Sequence, residues 1–355
     1  APYRRLMAAN AREFGDEPPV GVAGWSDAAV LVPYTMYRLT GNRRILEEQY
    51  ESMTHWCGYI IRTAEGRRGD FGLPHEVDSV LWNTGFHFGE WLIPSEEKGI
   101  TQKEACQRSA FYTAPIFGYL SVKCMAEIAE VLQKPEKAYY SRTADQMKAA
   151  IQTALICDGE LRSQNMGAYV LMIAFDLVPE HCKEHFAQKL ISLLDSHQGC
   201  LDTGFLATPF LLDAFVKIGR RDLAIKLLWQ TRMPSWLYEV EQGATSVWES
   251  WDAITPGSEP RITSYNHYAF GCVDAWIFEN IAGIRALEPG FRRVEIAPDP
   301  DGLPLDTAAA VFGANTEIFW FSGIGRPSAF PFRAASGQSF DGMARRTRSA
   351  AANIH

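Results

Sequence analysis

ILEEQYESMTHWCGYIIRTA, residues 45–64, decides the fold class. Ile45, Leu46, Tyr50, Met53, Trp56, Cys57, Ile60, Ile61 and Ala64 recur every three or four positions, the spacing of one apolar face of an α-helix. Upstream, Ser26 to Thr40 reads as a second helix, and Gly41 with Asn42 supplies its stop and the next N-cap. Two helices on so short a link are expected to pack antiparallel. Downstream, the pattern returns in Phe117 to Leu132, Tyr140 to Leu155, Gly167 to Leu177, Pro179 to Leu194, Phe205 to Ile218, Asp222 to Trp229 and Tyr268 to Ile281. Helix follows helix with almost no strand between, which suits a bundle, a solenoid or a toroid of paired helices. No short repeat is visible to favour the solenoid.

Bulk properties exclude several classes. A chain of 355 residues that is 47% apolar can bury a large core. Its net charge of -8 is dispersed, with no long basic run before residue 340, so no nucleic-acid partner is expected. No apolar stretch approaches the roughly 18 residues of a spanning helix, so no membrane partner is expected. The first residues, APYRRLMAANAREFGDEPP, lack the apolar centre of a signal peptide. The seven cysteines are scattered without a C-x-x-C and read as buried thiols of a reducing, cytoplasmic compartment. After Pro289 the pattern turns to short strands, and from Ser322 both periodicities fade. The expected division is a helical region at 1–286, the start of a β-unit at 287–321 and a poorly ordered tail at 322–355.

The chemistry is sought in the long loops 66–95, 199–204 and 233–266, because binding groups usually sit on ordered loops of a rigid scaffold. The densest cluster is PSWLYEVEQGATSVWESWD (234–252) followed by SYNHYAFG (264–271). Sugar sites need flat aromatic faces for C–H surfaces and carboxylates or amides for hydroxyls and protons. Trp236, Tyr238, Trp248, Trp251, Tyr265 and Tyr268 supply the first, and Glu239, Glu241, Glu249, Asp252, Asn266 and His267 the second. Taken singly, each tryptophan reads as well as core and each acid as a solvated charge. Acids interleaved this closely with aromatics, however, are expected to be partly desolvated. A second cluster, Val22 to Tyr34, places Trp25 and Asp27 at a helix entry, where Asp27 also reads as a first-turn acid. A third, LWNTGFHFGEWL (81–92), carries Trp82, His87, Glu90 and Trp91. Its histidines lack metal-ligand spacing, and neither a metal nor another cofactor is expected.

GWSDAAVLVPYTMYRLTGNRRILEEQYESM, FGEWL, TGFLATPFLLDAF, PSWLYEVEQGATSVWESWD and SYNHYAFGCVDAW, in this order, resemble the catalytic barrel of bacterial α-L-rhamnosidases of glycoside hydrolase family 78 over residues 20 to 300. The resemblance implies an all-α (α/α)6 toroid that hydrolyses terminal α-L-rhamnosides with inversion, with a rhamnose-containing glycan or glycoside as its partner. The family's GATTxWE glutamate, taken as general base, falls on Glu249. The N-H-Y histidine falls on His267 and the FGDW tryptophan on Trp91, both as sugar contacts, and GW-x-D falls on Trp25 and Asp27. Trp248, Trp251, Asp252 and Asn266 complete the expected substrate-binding set. The family's general-acid motif, D-C-P-x-R-D-E-R-x-G-W, does not occur, and Asp16-Glu17 lacks its flanking residues. The chain is therefore expected to form an incomplete toroid, to hydrolyse natural rhamnosides poorly and to self-associate through exposed barrel surface. The alternatives are a catalytically silent carbohydrate-binding helical domain and another helical-toroid hydrolase acting on glucosides.

Overall fold

The computed structural model describes residues 21–66, 73–95, 100–299 and 302–303, and strand segments at 307–314, 317–324, 332–334, 339–340 and 350–353. Asp16 and Glu17 lie outside the described residues. The chain folds as two compact units, Ala1–Leu31 with Tyr50–Phe270, and Val32–Gln49 with Gly271–His355.

Helix α1 spans Ala28–Thr40 and α2 spans Arg44–Gly66. The link behaves as its residues dictate. Gly41 adopts φ 69°, its N–H closes the last turn on Tyr37 O (2.8 Å), and Asn42 Oδ1 accepts from Arg44 N (3.0 Å) as the cap of α2. Along α1, Val32, Met36 and Leu39 expose apolar side chains.

In the first unit, α3 (His75–Asp78) precedes the long α4 (Gln102–Val131) and α5 (Lys137–Leu155), which pack side by side. Helix α4 starts well before the expected Phe117. Its first turns, QKEACQRS, are too polar to show a periodic face, yet Thr101 and Glu104 form a reciprocal capping box that starts it. A small hairpin, β1 (Ile156–Cys157) with β2 (Glu160–Leu161), leads to α6 (Met166–Ala174). Next come α7 (Lys183–Ser196), α8 (Thr208–Lys217) and α9 (Arg221–Leu228). Helix α6 packs against both α7 and α8, and α8 against α9. Every residue of α6 from Met166 to Ile173 is buried, so it is a core helix. A further short helix, α10 (Trp236–Glu241), lies within a stretch read as loop; its N-cap Ser235 accepts from Tyr238 N (3.1 Å).

In the second unit, α11 (Val273–Asn280) precedes β3 (Ile284–Ala286) and β4 (Arg293–Ile296), whose antiparallel pairing extends to β9 (Ala350–Asn353). Ala282, Ile284, Phe291 and Val294 form its core. Strands β5 (Thr307–Ala314), β6 (Glu317–Ile324), β7 (Phe332–Ala334) and β8 (Ser339–Phe340) make a separate antiparallel sheet. Strand segments are thus placed inside 322–355 as well, where the sequence shows neither periodicity.

Candidate active site

The site is built from three stretches of the first unit, and hydrogen bonds across the chain decide how they meet. The first is the turn before α1. Asp27 is fully buried: its Oδ2 accepts from Gly24 N (2.7 Å), and its Oδ1 accepts from Trp56 Nε1 of α2 (2.9 Å) and Ser121 Oγ of α4 (2.5 Å). Burial pushes its pKa up to about 6 against the opposing pull of those three donors. Asp27 is thus more than a first-turn acid, since it ties the turn to two other helices and has no face left for a ligand. Trp25, two residues earlier and half-buried, lies 4.9 Å from Phe88.

The second stretch is the loop 82–91. His87 Nδ1 accepts from Ala23 N (3.1 Å) and Nε2 lies 3.2 Å from Thr84 O, which fixes a neutral ring with Nε2 as donor. Burial pushes its pKa down to about 4. Through His87 the loop is pinned to the Asp27 turn, and Trp25, Phe88 and Trp91 form a row, with Phe88 5.4 Å from Trp91. Glu90 turns inward, 1% exposed, and accepts from Gly204 N (3.1 Å) and Ala207 N (2.6 Å). Burial raises its pKa to about 8 although the backbone donors lower it. In the same loop Trp82 Nε1, both amide atoms of Asn83 and Thr84 Oγ1 are buried without a protein partner among the described residues. Each such group costs about 1–3 kcal/mol unless something else satisfies it.

The third stretch is a pair of irregular segments, 246–249 and 264–267, joined by hydrogen bonds. Glu249 N donates to Ser264 O (2.9 Å), His267 N to Val247 O (2.8 Å) and Ser246 Oγ to Tyr265 O (2.7 Å). This pairing sets Glu249 and His267 on adjoining segments. The half-buried Glu249 carboxylate accepts through Oε2 from Thr263 Oγ1 and Ser264 N, both 3.1 Å, while Oε1 takes no hydrogen bond from a described residue. His267 Nδ1 accepts from Ala269 N (3.2 Å), and its ring lies 5.0 Å from Phe205 and stacks on the exposed Tyr268 at 5.3 Å. Phe205 N in turn donates to Trp91 O (3.0 Å), so Phe205 joins the second stretch to the third.

The remaining expected site residues are placed differently. Trp248 and Trp251 are 2% and 4% exposed. Trp251 stacks on Phe270 (4.1 Å, 21°) and meets Trp236 edge-on (5.6 Å), and Trp248 meets Tyr265 edge-on (5.9 Å). Both indoles are packing groups here, because a sequence pattern does not reveal which face of an indole is covered. Asp252 Oδ1 is engaged by Ser250 Oγ (2.6 Å) and Arg261 Nη1 (2.5 Å), whereas Asn266 is exposed. Sequence reasoning gave no specific role to Glu239, which α10 holds 3% exposed with Oε2 accepting from Trp248 N (3.1 Å), next to Glu249. Burial raises its pKa to about 7. Among the described residues no group of His, Cys, Asp and Glu is arranged to hold a metal.

Raised carboxyls give a signed prediction. A folded pKa above the unfolded one contributes stability that is lost as pH rises through the folded value. Glu90 and Glu239 spread that loss from their unfolded value of 4.5 up to about 8 and about 7, respectively. His87, depressed to about 4, acts in the opposite sense as pH falls below its unfolded value of 6.5. The thermal midpoint followed by circular dichroism is therefore expected to rise as pH falls from about 8.5 to about 6.5. A midpoint that falls across this window contradicts the assignment.

Residues 8–281 match the model of the bacterial alpha-L-rhamnosidase 6 hairpin glycosidase domain. The chain is 34% identical over 298 residues to an alpha-L-rhamnosidase of Streptomyces avermitilis, covering 83% of this chain and 26% of that protein. It is 35% identical over 294 residues to one of Formosa agariphila, covering 81% of this chain and 30% of that one. The crystal structure of the Streptomyces avermitilis enzyme complexed with L-rhamnose superposes with TM-score 0.76 at 31% identity, over 89% of this chain and 29% of that chain. The chain thus spans between a quarter and a third of the length of these relatives. With the paired helices, the likenesses establish the helical-toroid class expected from the sequence. This chain belongs to the six-hairpin glycosidase domain family of bacterial α-L-rhamnosidases.

Proposed function

We propose that the chain carries the water-activating half of an inverting α-L-rhamnosidase site that acts on rhamnose-containing glycans or glycosides. The observation that carries this reading is the Glu249 carboxylate, anchored through one oxygen by Thr263 and Ser264 of the His267 segment, with the other taking no hydrogen bond from a described residue. An anchored carboxylate with one free oxygen is suited to take a proton from water. His267 and the Trp25–Phe88–Trp91 row supply the edge and the aromatic surface that a sugar needs. Asn83 and Thr84 add buried polar atoms to the same loop.

An inverting mechanism needs a second carboxyl about 6.5–9.5 Å away to protonate the leaving oxygen. Asp27, Glu90 and Glu239 have the raised pKa of an acid, but each is enclosed; Asp27 and Glu90 spend both oxygens on protein donors, and Glu239 spends Oε2 on Trp248 N. Among the described residues none of these three is placed to protonate a leaving group, which makes that step the weak one in this reading. An aryl rhamnoside with a good leaving group is expected to be turned over about 10²-fold or more better than an alkyl rhamnoside, the span general acid catalysis supplies. Initial rates on the two substrates check this, and equal rates would reveal a donor among these residues. Calorimetric titration with L-rhamnose tests the sugar reading itself. No heat of binding at millimolar sugar, with a matching null for aryl rhamnoside turnover, would sink it.

A further inference from the structure

We propose that Glu90 is a positioning residue of the sugar site: its carboxyl group fixes the turn 204–207 against the turn 88–91 and so sets the separation of Trp91 from His267. The inference rests on the sugar-site reading above. The geometry is specific. Glu90 grips both ends of the turn that opens α8, through Gly204 N and Ala207 N, and its own N–H is held by Ser109 Oγ of α4 (2.8 Å). Between those two grips lies Phe205, whose N–H meets Trp91 O and whose ring meets His267. A movement of the turn therefore moves a residue that meets both expected sugar contacts, Trp91 through its backbone N–H and His267 through its ring.

Two glycines shape the space. A Cβ at Gly204 would stand 1.8 Å from Glu90 O, so only glycine lets the two turns approach. A Cβ at Gly167 of α6 would stand 2.1 Å from Glu90 Oε2. The backbone of α6 is thus cut away where the carboxyl lies. Neither close approach is needed for a helix to form, and both are needed for this carboxyl to reach the turn.

The test uses Glu90→Gln, Glu90→Asp and Gly167→Ala in the full chain, each assayed well below its melting temperature. Glutamine keeps the size but replaces one accepting oxygen by a donor, so one backbone N–H loses its partner. The dissociation constant of L-rhamnose is expected to rise at least about tenfold, the scale of one buried backbone N–H left without its acceptor. Glu90→Asp, which keeps both accepting oxygens, is expected to lose less. Gly167→Ala, which touches no sugar contact, is expected to weaken binding as Glu90→Gln does. Hydrogen exchange at residues 204–207 should accelerate in the Gln variant. A folded Gln variant with a lowered melting temperature but a dissociation constant within about twofold of wild type shows a merely structural role and overturns the proposal. If the wild-type chain binds no L-rhamnose, the sugar reading fails and the exchange arm decides. Unchanged exchange at 204–207 then overturns the positioning role as well, and accelerated exchange upholds the grip of Glu90 on the turn.

Discussion

Replacing Glu249 by glutamine is expected to cut turnover of an activated aryl rhamnoside by at least about a hundredfold, the lower end of what a positioned general base contributes. The substitution is close to isosteric. The amide oxygen can still accept from Thr263 Oγ1 and Ser264 N, so the pairing of 246–249 with 264–267 and the place of His267 are preserved. Removed is the basicity of the free oxygen. Affinity for L-rhamnose should therefore change little while kcat collapses, the signature of a group needed in the transition state rather than for binding. Near-wild-type kcat in the glutamine variant would take Glu249 out of the role, and a lost affinity with intact kcat would make it a sugar ligand instead.

Trp251→Ala is expected to act on stability rather than on sugar. The indole is stacked on Phe270 and edge-on to Trp236, itself fixed by Nε1–H donation to Phe270 O at 2.8 Å. Truncating a tryptophan in such surroundings leaves a cavity and costs about 3–5 kcal/mol. That is a large share of the ~5–15 kcal/mol that holds a typical domain folded. Chemical denaturation should show the midpoint falling accordingly, while L-rhamnose affinity of the folded variant, measured cold, stays near wild type. A small stability change with abolished sugar binding would instead place the indole at the ligand.

How much of this was legible depended on distance along the chain. Helix α2 was readable because its apolar face is unbroken from Ile45 to Ala64. The first half of α4 was not, because QKEACQRS carries no apolar stripe and Pro115 interrupts the turns beyond it, although the Thr101–Glu104 cap stood in plain sight. Helix α10 has only six residues, too few for a period to show. In the candidate site, Glu249 and His267 are proposed from family motifs that are local in sequence, and the segments that carry them pair with each other. The partners of Glu90 lie 114 and 117 residues away, and no local pattern announces such a contact. Glu239 was visible as an acid among aromatics, but its burial and its bond to Trp248 N depend on how α10 packs.

The excursion between the two paired segments offers a practical handle. Residues 256–260, Pro-Gly-Ser-Glu-Pro, are exposed, and Ser258 N closes a turn on Thr255 O (3.1 Å). Both ends of the excursion are pinned, at Glu249 with Ser264 and at Asp252 with Arg261. The tip can carry added bulk without levering Glu249. An environment-sensitive dye on Ser258→Cys would thus stand one short loop from the carboxylate and report sugar arrival by its emission, in real time and without turnover. Cys157 is the exposed native thiol among the described residues, so Cys157→Ser, on a hairpin of another stretch, would direct the label to the chosen site.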